Sequence, residues 1–413
     1  MNSCYSIILY FYYLIILLLS PFNKKAKRWI TGRKKWESEL EKKIKKGENW
    51  IWFHCSSLGE FEDSCEVFFK IQTEYPTNRT ILTVFSPSAF EVLKQSGLFD
   101  IIFYLPLDTK ANAKAFIEIV KPQLVLFSRS ELWLNILVEL QARKIPLFLI
   151  SLKLNNKSNF LKWPFRKFYR NCFKTFDVIY CQNLETQKLL IAYFNVSTTL
   201  ITGNTRFERI YNQSQSKITF PDIENFVLDS FVIVYGSSLP KDEKFFLKTY
   251  DSLKKLNLKW IIVPHEIEKS IIAKKLNSRN VIHFSKIKEL HQFHDILIID
   301  SVGILKHIYQ YAHIAIIGGG FDKIGIHNII EPAVYGNQIA FGPNHKNYDE
   351  AIQLLNLGGA IIYKNNEELK RIIQSKALNP ENIALRETIK LFVKSNTMNS
   401  FKIVESIRAK LIK

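Results

Sequence analysis

Short, continuous apolar runs bounded by polar or glycine-containing turns recur along most of the chain. In the first half they fall at 50–54, 80–85, 101–104, 124–127, 147–150 and 178–180, with helical stretches such as 61–71 and 112–120 between them. Runs without polar alternation predict strands buried on both faces, the pattern of a parallel sheet. The second half does the same at 231–235, 260–263, 281–284, 296–299, 311–317 and 338–341. Strands and helices alternating at this pitch predict two doubly wound α/β domains, with ligands at the carboxyl ends of the strands. A polar stretch at 211–222, ahead of Pro221, marks the seam. The segment 380–413 reads as helices that fold back over it.

The pattern breaks at the N-terminus. Residues 4–22 are almost wholly apolar, and nineteen residues at about 1.5 Å each approach the roughly 30 Å hydrocarbon core. No basic residue precedes the run and no small-residue cleavage site follows it, which disfavours a cleaved signal. Eleven Lys/Arg against three Glu follow between Lys24 and Lys46. This predicts a membrane anchor over 1–22, spanning or monotopic, with the rest of the chain cytoplasmic and its basic flank drawn to anionic lipid headgroups.

Composition adds bounds. With 413 residues, 47% hydrophobic and 23% charged, the chain is globular and large enough for two domains. A net charge of +19 implies an anionic partner: nucleic acid, acidic lipid or a phosphorylated substrate. The five cysteines form neither a Cys-x-x-Cys pair nor a His/Cys cluster, so no zinc site or disulfide framework is indicated. Neither a nucleic-acid module nor aromatic-interleaved basic patches accompany the charge.

Candidate chemistry sits at strand ends. After 50–54 comes Cys55-Ser56-Ser57-Leu58-Gly59-Glu60, where Glu60 is either a general base facing the cleft or a carboxylate favouring a helix start. Ser128–Asn135 contains Glu131 and Trp133, read as an acceptor pocket or as packing with a helix cap. Arg206, in Gly203-Asn204-Thr205-Arg206-Phe207-Glu208, closes the first domain. In the second half four strands end in Gly236-Ser237-Ser238, Pro264-His265-Glu266, Asp300-Ser301-Val302-Gly303 and the stretch 315–336. That last stretch joins three glycines to His327-Asn328-Ile329-Ile330-Glu331-Pro332, a helix opening suited to an anion. Its spacing is not Gly-x-Gly-x-x-Gly, which excludes a dinucleotide fingerprint. Asn328 and Glu331 are open to two readings, a phosphate and ribose site or an N-cap with its capping-box partner.

Taken together, these motifs resemble the transferases that place 3-deoxy-D-manno-octulosonic acid (Kdo) on the lipid A precursor. The match runs over His54…Ser57…Gly59-Glu60, Glu131-Leu132-Trp133, Gly203–Phe207, Gly236–Ser238, Pro264-His265, Asp300–Gly303, and Gly318-Gly319-Gly320…Gly325…His327-Asn328…Glu331-Pro332 with Gly342-Pro343. The resemblance implies a GT-B glycosyltransferase of lipopolysaccharide core biosynthesis at the inner membrane, needing no metal or cofactor and binding no nucleic acid. It implies an acceptor domain over 23–215 and a CMP-Kdo domain over 216–413. Glu60 matches the catalytic base of an inverting single displacement. CMP-Kdo contacts fall on Pro264, His265, Ser301, Val302, Gly303, Asn328, Ile329, Ile330 and Glu331. Ser57, Gly59, Glu131, Arg206, Gly236, Ser237 and Ser238 border the cleft or acceptor. Three motifs depart from the common pattern. His265-Glu266 stands for Arg-His, Arg129 and Leu134 replace a Glu and a Pro around the Trp motif, and Ile326 replaces a Gly. The nearest alternative is another GT-B enzyme that moves a UDP-sugar onto a lipid.

Overall fold

The computed structural model describes residues 2–45, 47–216, 218–254, 256–276, 280–289, 294–323, 325–378 and 382–411. Lys46 of the basic segment and Ile324 of the glycine-rich stretch lie outside the described residues. Two compact units form, Met1–Arg209 with Met398–Lys413, and Ile210–Thr397. The division at Arg209/Ile210 falls inside the helix Arg206–Ser214, just ahead of the polar stretch at 211–222.

The first unit holds seven parallel strands: β1 (Trp50–Cys55), β2 (Arg79–Val84), β3 (Ile101–Tyr104), β4 (Pro122–Ser128), β5 (Leu147–Leu152), β6 (Val178–Cys181) and β7 (Thr199–Ile201). Their order is β3-β2-β1-β4-β5-β6-β7. Every residue of β1 is buried because its alternate side chains feed two cores. Trp50 and Trp52 join Phe116, Phe127 and Leu137 on one face, while Ile51, Phe53 and Cys55 meet Phe68 and Leu126 on the other. That two-sided burial is why the sequence shows runs rather than alternation. Ile403, Val404 and Ile407 of the helix Asn399–Leu411 complete the second of these cores, packing beside the helix Leu58–Glu74.

The second unit repeats the plan with β8 (Phe231–Ser238), β9 (Leu258–Pro264), β10 (Val281–His283), β11 (Ile296–Ile298), β12 (Ile314–Ile317), β13 (Gln338–Phe341) and β14 (Ala360–Ile362), in the order β10-β11-β9-β8-β12-β13-β14. All twelve expected strand runs are strands. The two unexpected ones, β7 and β14, are three-residue edge strands, too short to register as apolar runs. In each sheet the chain winds outward from one strand and then returns beside it, at β1/β4 and at β8/β12. Such switch points leave a crevice beyond the carboxyl ends, where the flanking loops part in opposite directions.

The N-terminal run forms the helix Asn2–Leu19, but among the described residues no helix is long and apolar enough to cross a membrane. Its packing differs from that of a free-standing spanning segment. The Tyr5 hydroxyl donates to Asp108 at 2.7 Å, Leu9 is buried, and Tyr12 meets Trp29 edge to face. Asp108 also accepts the backbone N–H groups of Asn135 and Ile136, so one buried carboxylate ties this helix to the start of the helix Leu134–Ala142. Burial pushes the Asp108 carboxyl up to about 7, against the opposing pull of those three donors. Ile7, Ile8, Phe11, Leu14 and Leu18 are each more than half exposed. In the next helix, Lys24–Thr31, Trp29 faces Arg33, whose guanidinium also lies over Phe85 and Tyr104 at 4.8 Å. Arg33 is satisfied by the carbonyls of Leu105, Trp29 and Phe85, and burial lowers its pKa to about 9.

Candidate functional site

At the β1/β4 switch, β1 ends in Ser56-Ser57 and the helix Leu58–Glu74 starts at once. The Ser57 hydroxyl accepts the Glu60 N–H at 3.3 Å, and the Glu60 carboxylate reaches back to accept the Ser56 N–H at 2.6 Å. Glu60 therefore does cap its helix, and a second carboxylate, that of Glu131, stands close to it. The Ser56 hydroxyl donates to Glu131, which arrives from the end of β4. Glu131 also accepts the Trp133 indole N–H at 2.7 Å and lies 3.1 Å from His54 Nε2. His54 is wholly buried, with Nδ1 held 3.0 Å from the Thr83 carbonyl.

This arrangement separates the two carboxyls electrostatically. Burial alone raises Glu131, but the hydrogen bonds and charge of His54 and the donors on Ser56 and Trp133 outweigh it and hold Glu131 below the usual range. Glu60 goes the other way. Burial first, and the adjacent Glu131 second, push its carboxyl up to about 8, with the Ser56 N–H opposing. A pair of carboxyls driven apart in this way is an acid/base assignment in the making. A side chain added at Gly59 would meet nothing within 4 Å, so the space beside Glu60 is open.

At the β8/β12 switch, Gly236-Ser237-Ser238 ends β8 and Gly318-Gly319-Gly320 follows β12. Gly318 donates to the Gly236 carbonyl, and a Cβ on Gly318 would stand 2.1 Å from the Ser237 oxygen, so only glycine allows the two turns to touch. Gly319 holds φ +90, and its N–H is taken at 2.9 Å by the buried Asp242. Burial pushes the Asp242 carboxyl up to about 6. Its neighbour Glu243, also fully buried, accepts from the Ser238 and Ser270 hydroxyls and from the Ile271 and Ile272 N–H groups.

Ser237, Pro264, His265, Ser301, Val302 and Gly303 line one open pocket of about 500 Å³, so the β8, β9 and β11 ends converge. Asn328 to Glu331 do not line it. The Asn328 side chain accepts the Ile330 N–H at 3.0 Å and donates to Glu331 at 2.9 Å. The helix they open, Ile330–Ala333, has four residues, so it carries little of the dipole expected of a longer helix. Glu331 still bears electrostatically on Tyr309, whose hydroxyl packs against Gly236. His327 joins this region by stacking on His265 with centroids 4.6 Å apart. Its Nε2 is buried and without a hydrogen-bond partner in the protein, while burial, then His265, lowers its pKa to about 4. A buried ring nitrogen without a partner is uncommon in a folded protein and marks His327 out in this region. Among the described residues no cluster of His, Cys, Asp or Glu suited to a metal ion is found.

Sequence reasoning placed Glu60, Glu131 and the strand-end turns but assigned no role to Asp242, Glu243 or Asp63. These acids lie inside amphipathic helices, where nothing in the pattern marks a carboxylate as turned inward.

The family model described as 3-Deoxy-D-manno-octulosonic-acid transferase (kdotransferase) matches residues 30–209. The chain is 30% identical over 325 residues to the 3-deoxy-D-manno-octulosonic acid transferase of Chlamydophila psittaci, covering 76% of this chain and 75% of the relative. Among solved structures it resembles UDP-N-acetylglucosamine 2-epimerase from Neisseria meningitidis bound to UDP-GlcNAc, with a TM-score of 0.60, 16% identity, and 87% and 100% of the two chains covered. It also resembles a glycosyltransferase from Rickettsia africae, with a TM-score of 0.55, 15% identity, and 88% and 97% covered. Two parallel-sheet α/β units of the GT-B kind are the fold these likenesses share.

Proposed function

The chain belongs to the 3-deoxy-D-manno-octulosonic acid transferase family, and from that premise we propose that it moves Kdo from CMP-Kdo to a sugar hydroxyl of a lipid A precursor. One observation carries the reading. The residue matched to the base follows β1 at the β1/β4 switch of the first unit, and those matched to the donor contacts follow β9, β11 and β12 in the second. Glu60 takes the proton of the acceptor hydroxyl as that oxygen attacks the anomeric carbon. The bond from that carbon to the phosphate oxygen breaks, its electron pair stays with CMP, and configuration inverts. The second unit supports the leaving phosphate with hydroxyls of Ser237 and Ser301, backbone amides and imidazoles, groups already fixed before charge develops. Asn328 and Glu331 serve the nucleotide from the edge of this pocket while keeping their capping bond.

Purified protein incubated with CMP-Kdo and the tetra-acylated precursor is expected to yield an acceptor heavier by one or more Kdo residues on mass spectrometry. Transfer from a UDP-sugar with none from CMP-Kdo would favour the alternative enzyme class.

The helix Asn2–Leu19 is read as lying in the plane of the cytoplasmic face of the inner membrane. Its exposed Ile7, Phe11, Leu14 and Leu18 enter the headgroup boundary, and the basic residues after it meet anionic lipid. Vesicles containing phosphatidylglycerol should retain the protein, and Phe11→Asp with Leu18→Asp should release most of it. Equal retention of the parent and the double variant would rule this orientation out.

A further inference from the structure

A second pocket of the unit Ile210–Thr397 opens at the amino ends of its strands, away from the strand-end turns described above. Phe231 begins β8, His313 precedes β12 and Gln338 begins β13, and all three border it. At about 3.3 Å per residue, the length of β8 puts it roughly 20 Å from the turn at Ser237. Doubly wound sheets take their ligands at the carboxyl ends, so this end is ordinarily structural. Its volume is about 120 Å³, well under the roughly 300–1,000 Å³ of pockets for drug-sized ligands, so it suits a small group.

Three features converge there. Asn337 is 2% exposed, and its Nδ2 donates to the Ala312 carbonyl at 2.7 Å. Its Oδ1 is buried without a hydrogen-bond partner among the described residues. Buried acceptors are nearly always paired, so this oxygen calls for a donor that those residues do not supply. Half-buried Lys376 and exposed Arg386 stand on two different helices and line the same pocket. Among the described residues no carboxylate lines it, and Glu387, next to Arg386, is taken by Lys390 at 2.8 Å. Arg386 donates from Nε to the Tyr335 carbonyl at 3.3 Å, which fixes its stem and leaves the Nη groups outside that bond. Gly336, at φ +77, permits this approach, since a Cβ there would stand 2.5 Å from Arg386 Cγ. Finally, Asn382 and Ile383 bring the positive end of the thirteen-residue helix Ile383–Ser395 to the pocket. His313 is built into the sheet, accepting the Val232 N–H at 3.0 Å and stacking on Phe231.

Cations beside a helix start recognise an oxyanion, and an acceptor oxygen among them recognises a hydroxyl on the same molecule. We propose that this pocket binds a small oxyanion carrying its own O–H, either a hydrogen phosphate group or a 2-hydroxy carboxylate. Lys376 and Arg386 take the charge, and Asn337 Oδ1 takes the O–H. An anion without a hydroxyl sets oxygen against oxygen at Asn337.

Titration calorimetry on the full chain at fixed ionic strength tests this with two matched pairs, phosphate against sulfate and lactate against propionate. Near neutral pH phosphate keeps a proton that sulfate lacks, so the first pair separates hydrogen bonding from charge. Each titration is repeated with CMP present, which tells this pocket from the one lined by Ser237 and His265. The hydroxyl-bearing member of at least one pair is expected to bind roughly tenfold or more tightly than its match. Preference within the phosphate pair alone assigns a phosphate ligand, and within the lactate pair alone a hydroxy acid. Arg386→Gln and Lys376→Gln should each weaken binding roughly 10- to 100-fold at an unchanged melting temperature. Asn337→Ala should bring the members of the preferred pair level; if that variant does not fold, the two surface variants decide. Equal affinity within both pairs, binding that Arg386→Gln leaves intact, or binding that CMP abolishes overturns the proposal.

Discussion

Replacing Glu60 by Gln should lower kcat for Kdo transfer by about 10² to 10⁴, the usual span for loss of a general base, while the protein stays folded. The amide oxygen can still accept the Ser56 N–H, so the helix start survives and the loss isolates proton transfer. The pH dependence gives a second readout. Burial and Glu131 raise Glu60 to about 8, so kcat/KM of the parent should climb with pH and level off above that value. Glu131→Gln removes the neighbouring negative charge, which lowers the Glu60 pKa and moves the climb to lower pH. A folded pKa above the unfolded one contributes stability that is present at low pH and fades as pH rises from the ordinary carboxylate range through about 8. The Gln variant has no such carboxyl to ionise. Its melting temperature should therefore match or exceed that of the parent at pH 8 and above, where its activity deficit is greatest. Near-parental turnover in a folded Glu60→Gln protein would remove this group from the chemistry.

The second large effect is on stability. Glu243→Ala is expected to destabilise the second unit by about 3–6 kcal/mol, since two hydroxyls and two backbone N–H groups lose a buried acceptor and each such loss costs roughly 1–3 kcal/mol, with partial relaxation. Those donors lie on Ser238, at the end of β8, and on 270–272, so the same change loosens the pocket wall formed by Ser237 and His265. Denaturant unfolding should show the loss in the second unit, and CMP affinity should fall even where the variant remains folded. A shift under about 1 kcal/mol would mean that water replaces the carboxylate there.

Much of this was legible in the residues. Parallel strands buried on both faces must be apolar at every position, so β1, β8 and β12 announce themselves. Their carboxyl-end turns are equally visible, because Ser, Gly and Glu interrupt such runs abruptly. What the pattern hides is any polar side chain whose partner is distant in sequence. Asp63 meets Arg129 and Arg206, 66 and 143 residues away, and no local period encodes that. Gly318 shows the converse: it is recognisable as a turn residue, but the Ser237 oxygen that forbids a side chain there is visible only in three dimensions. The short helix after Asn328 was overestimated because His327–Pro332 has the residues of a helix start. The chain turns again at Gly336, φ +77, before a dipole accumulates. At the N-terminus, hydropathy reports apolar length but not that Tyr5 and Leu9 are already committed to the protein.

The helix Asn399–Leu411 imposes an order on biosynthesis. Ile403, Val404 and Ile407 fill a core whose other walls come from β1, β2, β4 and the helix Leu58–Glu74. A ribosome must therefore make all of Ile210–Thr397 before the unit that starts the protein can close. At elongation rates of roughly 5–20 residues per second, the first unit waits on the order of 10–40 s with an apolar face uncovered. The second unit, whose chain is continuous, has no such delay. Nascent protein at this stage exposes apolar surface of the kind that chaperones bind, and a stop codon that removes only the last dozen residues would injure the unit synthesised first.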